Sequence, residues 1–490
     1  MHFIVKLFPE ITIKSQPVRK RLTRQLRNNL RRLLKTLDER IDVQRDWEKL
    51  DVVVPNDRDD LESEVAEVLA STPGVANFSR VDTFPLVNID DISERARRAW
   101  AHRLAGKAFC VRVKRTGEHE FSSMAVERAV GAALLAGSEN ARVQLKNPEV
   151  LVPIEIRGEQ CFLLDEVRRG LGGFPLGTQN SVVSLISGGF DSTVASYLTM
   201  KRGLFTHFCF FNLGGRAHEL GVKEVAQYLW RKFGASHRVV FVTVPFEEVV
   251  SEILAKVDNS HMGVVLKRMM IRAGNEVAAS LEAGAMVTGE SVAQVSSQTL
   301  HNLGLIDEVA NLLTLRPLAV MDKGDIIDIA RQIGTEEFAA RMPEYCGVIS
   351  VKPKTRAKRE RVIAEEGHFD FAVLERAIAA RRVEHIDELD FAPVENGGEG
   401  VVIRPAAPPG SVIIDIRHPD EIASHPLQAG NTRVLQMPFF QLEKSLPELD
   451  ANTEYLLYCD RGVMSRLHAE LLYEKGFINV GVYRPPGSKR

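Results

Sequence analysis

The chain has 490 residues, 44% hydrophobic and 26% charged, with a formal net charge of -2. Its five cysteines are too few for a disulfide-rich secreted scaffold, and they form no C-x-x-C pair, which argues against zinc or an iron–sulfur cluster held by such pairs. No apolar run approaches the roughly 20 residues of a membrane-spanning helix and MHFIVKLFPE has no signal-peptide layout, so a cytoplasmic protein without a membrane partner is expected.

Residues 1–35 hold ten Lys/Arg against one acidic residue, Glu10. Phe3-Ile4-Val5 and Leu7 read as a strand. Leu22, Leu26, Leu30, Leu33, Leu34 and Leu37 then recur at helical spacing, with arginines between them. With the short strand at 51–55, residues 1–80 are expected to form a small basic α+β unit. Residues 81–170 alternate helix-like DDISERARRAWAHRL and SSMAVERAVGAALLAG with strand-like FCVRVKR, VLVPIEIRG and QCFLLDEV. Pro153 inside such a run points to an edge or a bulge. The glycine-rich stretch 170–177 reads as a linker.

In the stretch 175–395, strands and helices alternate to about residue 345, which argues for a doubly wound parallel sheet. Within it, 351–390 read as charged helix, with a second basic cluster of Lys352, Lys354, Arg356, Lys358, Arg359 and Arg361. A further Gly/Pro-rich linker precedes a last α/β stretch, 405–490.

The loop Ser187-Gly188-Gly189-Phe190-Asp191-Ser192 lies between the buried strand 182–186 and a helix expected from Thr193. The glycines let backbone N–H groups approach an anion, and a helix N-terminus and hydroxyls add donors. Asp191 would repel phosphate, and makes sense if it binds Mg²⁺ or orients the attacking group. The loop is therefore expected to grip ATP. Lys267, Lys323, Gly289 and Gln298 are candidates for the same pocket. Each alone reads equally well as a surface lysine, a turn glycine or a loop glutamine. The loop is not a Walker motif; it resembles the PP-loop of enzymes that cleave ATP between its α and β phosphates, which implies an adenylated intermediate and release of pyrophosphate.

Near the C-terminus, the strand 455–458 runs into Cys459-Asp460-Arg461-Gly462-Val463-Met464-Ser465 and a helix. Backbone N–H groups and a helix N-terminus there would stabilise a thiolate or a persulfide; the bland alternative is a packed cysteine. With the preceding SVIIDIRHPDEI, this loop resembles a rhodanese domain, which implies that Cys459 carries sulfur. Cys346 lies in the turn-like Pro343-Glu344-Tyr345-Cys346-Gly347.

PP-loop, Cys346 and rhodanese loop in this order, behind a basic N-terminal half, resemble the tRNA 4-thiouridine synthetase family over essentially the full length. The resemblance implies a multidomain α+β and α/β protein with four parts: a ferredoxin-like unit at 1–80, a THUMP-like RNA-binding domain at 81–170 (by the family's boundary, from near 63), a PP-loop ATP pyrophosphatase domain at 175–395 and a rhodanese-like domain at 405–490. It implies that Leu185, Ile186, Lys267, Gly289 and Gln298 contact ATP beside Ser187, Gly188, Gly189 and Ser192. Asp191 and Lys323 would activate the base, and Cys346 would close a disulfide with Cys459. The implied reaction makes 4-thiouridine at position 8 of tRNA, with ATP and Mg²⁺. The implied partners are tRNA, a cysteine desulfurase, a thiol reductant and a sulfur-carrier protein of thiamine thiazole synthesis. Another PP-loop enzyme of RNA and a sulfur carrier without RNA chemistry are the rival expectations.

Overall fold

The computed structural model describes residues 1–46, 49–213, 215–342, 353–389, 401–417, 422, 426, 427, 429, 430, 432–437, 442, 449, 450, 452–459, 463–474 and 476–485. Its contacts divide into two units, one formed mainly by Met1–Thr178 and the other by most of the remainder.

The first unit is built on one nine-stranded sheet of order β2-β3-β1-β4-β8-β7-β5-β6, with β9 beside β4. Its strands are β1 (His2–Leu7), β2 (Asp42–Asp46), β3 (Lys49–Val53), β4 (Val75–Pro85), β5 (Ala108–Thr116), β6 (Arg142–Val143), β7 (Val150–Arg157), β8 (Gln160–Leu164) and β9 (Arg168–Arg169). The helix Gln16–Leu34 buries Leu22, Leu26, Leu30 and Leu34 in the N-terminal core, and leaves Lys20, Arg21, Arg24 and Arg32 exposed. That is the expected division between an apolar stripe and a basic face.

Strand β4 carries both halves of the sheet. Residues 75–81 pair with β1 and residues 81–85 with β8. The expected boundary between residues 80 and 81 thus falls inside a strand. Pro153 sits in β7, an interior strand rather than an edge. The proline stands in register with Arg112 of β5, while β8 pairs with β7 only from Ile154 onward, so on the β8 side no ladder partner asks for the missing N–H. The stretch 170–177 is not a free linker: Phe174 and Leu176 are buried, Gly74 N–H donates to the Gly172 carbonyl at 2.8 Å, and Asn29 Nδ2 donates to the Leu176 carbonyl at 3.0 Å.

The second unit holds two sheets. One has the order β14-β13-β10-β11-β12-β15, from β10 (Ser181–Leu185), β11 (Phe205–Asn212), β12 (Val240–Pro245), β13 (Ala285–Val287), β14 (Leu313–Leu315) and β15 (Arg382–His385). All its pairings are parallel except that of β15, which closes the edge antiparallel to β12. The helix expected over 351–390 gives way here to a strand: Arg382–His385 is short, charged and mostly exposed, and its backbone pairing with β12 makes it one. The other sheet is all parallel, of order β16-β20-β19-β17-β18, from β16 (Ile403–Arg404), β17 (Val412–Asp415), β18 (Arg433–Gln436), β19 (Tyr455–Tyr458) and β20 (Val480–Tyr483). Among the described residues no helix is long and apolar enough to cross a membrane.

Candidate active site

In the six-stranded sheet the chain runs from β10 through β11 to β12 on one side, then returns to β13 and β14 on the other. The strand order therefore reverses between β10 and β13. Ligands of open α/β sheets bind at such a point, outside the carboxyl ends of the strands. The glycine loop leaves β10 there, and Thr288-Gly289-Glu290 leaves β13 beside it.

The helix after the loop begins at Phe190, earlier than expected, so Asp191 and Ser192 belong to its first turn. Ser192 Oγ accepts from the Ser187 N–H at 3.0 Å and lies 3.1 Å from Ser187 Oγ, folding the loop back on the helix. Gly188 takes a φ of +80°, a conformation that glycine adopts without strain. Gly289 was expected to make room for a nucleotide. A Cβ there would lie 2.5 Å from Ser192 N, so this glycine lets β13 approach the first turn of the loop helix. Gly289→Ala is expected to cost about 1–3 kcal/mol of stability from overpacking and to weaken ATP binding, which thermal melts with and without ATP would measure.

Asp191 is held at both oxygens: Lys323 Nζ donates to Oδ1 at 2.7 Å and Gln294 Nε2 to Oδ2 at 2.8 Å. Lys323 opens the helix Lys323–Ile333, and its ammonium also lies over the Phe190 ring. Lys267 ends on a carboxylate, 2.6 Å from Glu290 Oε1. Arg316, just past β14, reaches the other Glu290 oxygen at 2.8 Å and pairs bidentately with Asp307. Burial alone would raise the Glu290 carboxyl, but Lys267 and Arg316 outweigh it and hold it below the usual carboxylate range. Gln298 sits in a one-turn helix, and among the described residues its Oε1 is buried without a hydrogen-bond partner. An acceptor left so is free for a ligand's N–H. Leu185 ends β10, and Ile186 is buried next to it, its N–H on the Cys209 carbonyl at 2.9 Å.

Sequence reasoning passed over Glu290, Arg316, Gln294 and His218. The signal for the first two was their place directly after parallel strands. His218 Nε2 lies 3.3 Å from the Ser187 carbonyl, so the neutral ring donates its proton to the loop. Burial pushes this imidazole down to about 4, only partly offset by that carbonyl. Below pH 6.5 the unfolded chain takes up a proton that the folded chain refuses until about pH 4, so the stability due to this site falls as pH drops through that window. His218→Gln is expected to flatten the urea-derived stability difference between pH 7 and pH 5, by on the order of 1–2 kcal/mol at about 1.4 kcal/mol per pKa unit.

In the five-stranded sheet, Cys459 follows β19 and is buried. Ser465 N–H donates to its Sγ at 3.3 Å, and Ser465 Oγ lies at 3.4 Å. Neighbouring β17 ends at Asp415, whose carboxylate is clasped by Arg417 Nε at 2.9 Å and by its terminal nitrogen at 2.6 Å, both residues buried. Arg417 also stacks on Tyr458, next to Cys459. Cys346 and residues 460–462 lie outside the described residues, and so does the expected Cys346–Cys459 disulfide. Among the described residues no hydrogen bond or ion pair joins Cys459 to Asp191 or Lys323. The helix Val463–Glu474 behind Cys459 packs on the helix Gly215–Leu229 that carries His218. Cys110, Cys161 and Cys209 are packed in cores, and burial pushes the Cys161 and Cys209 thiols up to about 11 and about 12.

The geometry can be set beside known proteins. Residues 177–371 match the family model described as Thiamine biosynthesis protein (ThiI), 2–79 the ThiI ferredoxin-like domain, 87–164 the THUMP domain and 402–484 the rhodanese-like domain. A tRNA sulfurtransferase of Saccharophagus degradans is 52% identical over 490 residues, covering 99% of this chain and all of the relative. One of Azotobacter vinelandii is 53% identical over 487 residues, with the same coverage. A crystal structure of a 4-thiouridine synthetase–RNA complex with bound ATP is 25% identical, with a TM-score of 0.69, and covers 78% of this chain and 99% of that one.

Proposed function

Since the chain belongs to the tRNA sulfurtransferase family, we propose that it is the enzyme that replaces O4 of uridine 8 in tRNA by sulfur, at the expense of ATP. The observation that carries this reading is the pairing of a glycine loop at the switch point of one sheet with a strand-end cysteine in another. One site makes a leaving group, and the other brings sulfur. A relative solved with RNA and ATP supports the same pair of substrates.

A uracil carbonyl is a poor electrophile, because oxide cannot leave from C4. In the proposed first step O4 attacks the α-phosphorus of ATP. The O4–phosphorus bond forms, the bond to the β-phosphate oxygen breaks and pyrophosphate departs. The N3 proton passes to Asp191, which Lys323 and Gln294 hold in place. Ser187, Gly188, Gly189 and Ser192 would cradle the phosphates. Lys267 would face them from Glu290, and Leu185, Ile186 and Gln298 would line the nucleoside. Asp191 is the loop's only carboxylate, so Mg²⁺ arriving with ATP would take most of its ligands from phosphate and water. When bound, it neutralises phosphate charge.

In the second step a persulfide on Cys459, loaded by a cysteine desulfurase, attacks C4 through its outer sulfur, and AMP leaves. Cys346 thiolate then attacks Cys459 Sγ. The sulfur–sulfur bond to the base breaks, 4-thiouridine departs and a Cys346–Cys459 disulfide remains for a thiol reductant to open. The same persulfide would serve a sulfur-carrier protein for the thiamine thiazole. The basic 1–80 unit and the 81–170 domain would dock tRNA through shape and phosphate contacts. The test is incubation with ATP, cysteine, a desulfurase and unmodified tRNA. Pyrophosphate and 4-thiouridine should appear together, and pyrophosphate without a thionucleoside would overturn the reading.

A further inference from the structure

The second basic cluster is not part of the machinery assigned above, yet it is fastened to it. Residues 353–358 have no regular secondary structure, but side chains and backbone of the neighbouring loop and helix hold their main chain. Thr299 Oγ1 donates to the Thr355 carbonyl at 2.7 Å, and His301 Nε2 to the Ala357 carbonyl at 2.7 Å. Asn302, itself fully buried, donates to the Lys354 carbonyl at 2.9 Å and accepts from the Ala357 N–H at 3.0 Å. Lys354 N–H reaches the Ser260 carbonyl at 3.1 Å. Thr299 directly follows Gln298, so the segment is anchored to the loop that presents Gln298.

The side chains point the other way. Ala357 is buried, while Lys354, Arg356, Lys358 and Arg361 are exposed. None of these four forms an ion pair among the described residues, whereas Arg359 between them pairs with Glu308 at 2.8 Å. Stability does not account for this crowding. Lys358 stands at the N-cap position of the helix Arg359–Glu366 without a side-chain cap bond, and the first turn holds Arg359 and Arg361 against the single acid Glu360. That end of a helix disfavours cations, and like charges this close repel. A rigid main chain carrying unpaired cations in an unfavourable place suits a polyanion that neutralises them.

We propose that Lys354, Arg356, Lys358 and Arg361 form a phosphate-contacting surface on the ATP domain, which seats the RNA backbone beside the Gln298 loop. This rests on the functional reading above and extends it: the catalytic domain would itself hold the strand bearing the target base, in addition to the two N-terminal domains. Such contacts carry no sequence information but set register and orientation.

The experiment measures binding of unmodified tRNA transcript to the full chain by fluorescence anisotropy across a salt series, without ATP or sulfur donor. The triple variant Lys354→Ala/Arg356→Ala/Lys358→Ala is compared with the wild type. The expected result is affinity lower by on the order of 10-fold, and a slope of log K against log salt smaller by about 2–3, with ATP affinity unchanged. Equal affinity and equal slope would overturn the proposal. So would unchanged RNA binding joined to slower sulfur loading from the desulfurase, which would make the patch a protein dock. A wild type that does not bind tRNA refutes the functional reading itself, and this surface with it.

Discussion

Asp191→Ala is expected to lower tRNA-dependent pyrophosphate release by on the order of 10²–10⁴-fold, the range typical of losing one positioned acid–base or electrostatic group. Asp191 is half-buried on the first turn of the loop helix and has two partners, Lys323 and Gln294. Its removal leaves a lysine with room to reach solvent, so the fold should survive. The variant should therefore melt within a few degrees of the wild type and bind tRNA unchanged. Asp191→Asn separates charge from shape: it can keep a contact to Gln294, yet it cannot take the N3 proton. Near-normal turnover in both variants would show that Asp191 takes no part in activating the base.

Cys459→Ala should have the opposite signature. Pyrophosphate release should persist within a few-fold, while thionucleoside formed with cysteine and desulfurase falls by on the order of 10³-fold or more, as when a covalent nucleophile is removed. Added sulfide should restore part of the product, since it bypasses the carrier. Cys459 is buried against Ser465, so alanine leaves only a small void, and stability should change little. Thionucleoside formation at the wild-type rate with the desulfurase would remove Cys459 from the sulfur path. The two variants together test whether the two sites hold separate halves of one reaction.

Local chemistry was legible in the sequence wherever it depended on neighbours along the chain. Strand, Gly-Gly, Asp and Ser announce an anion loop, and a cysteine at a strand end with Asp-x-Arg at the end of β17 announces the other site. Asp415 and Arg417 are two residues apart, and they do meet. What depended on sheet order was not legible. Lys267 and Arg316 are 23 and 26 residues from Glu290; Arg316 meets it because β13 and β14 lie side by side, and Lys267 because its helix Met262–Ser280 packs on β10 and β13. Gly289 gave a turn signal, but its reason is the backbone of Ser192, almost a hundred positions earlier. Strand β15 carries no apolar alternation, because an edge strand needs only backbone partners on one side.

The shared strand β4 bears on how such a protein can be inherited. A domain that ends in a loop can be copied, lost or exchanged by a crossover in its gene without harm to its neighbour. The two halves of the nine-stranded sheet lack that freedom. A crossover between codons 75 and 85 would cut β4 itself, so that the segment paired with β1 and the segment paired with β8 come from different genes and one continuous strand must be matched across the joint. The ferredoxin-like and THUMP-like parts are therefore expected to pass between lineages as one heritable block, whatever follows them in the chain.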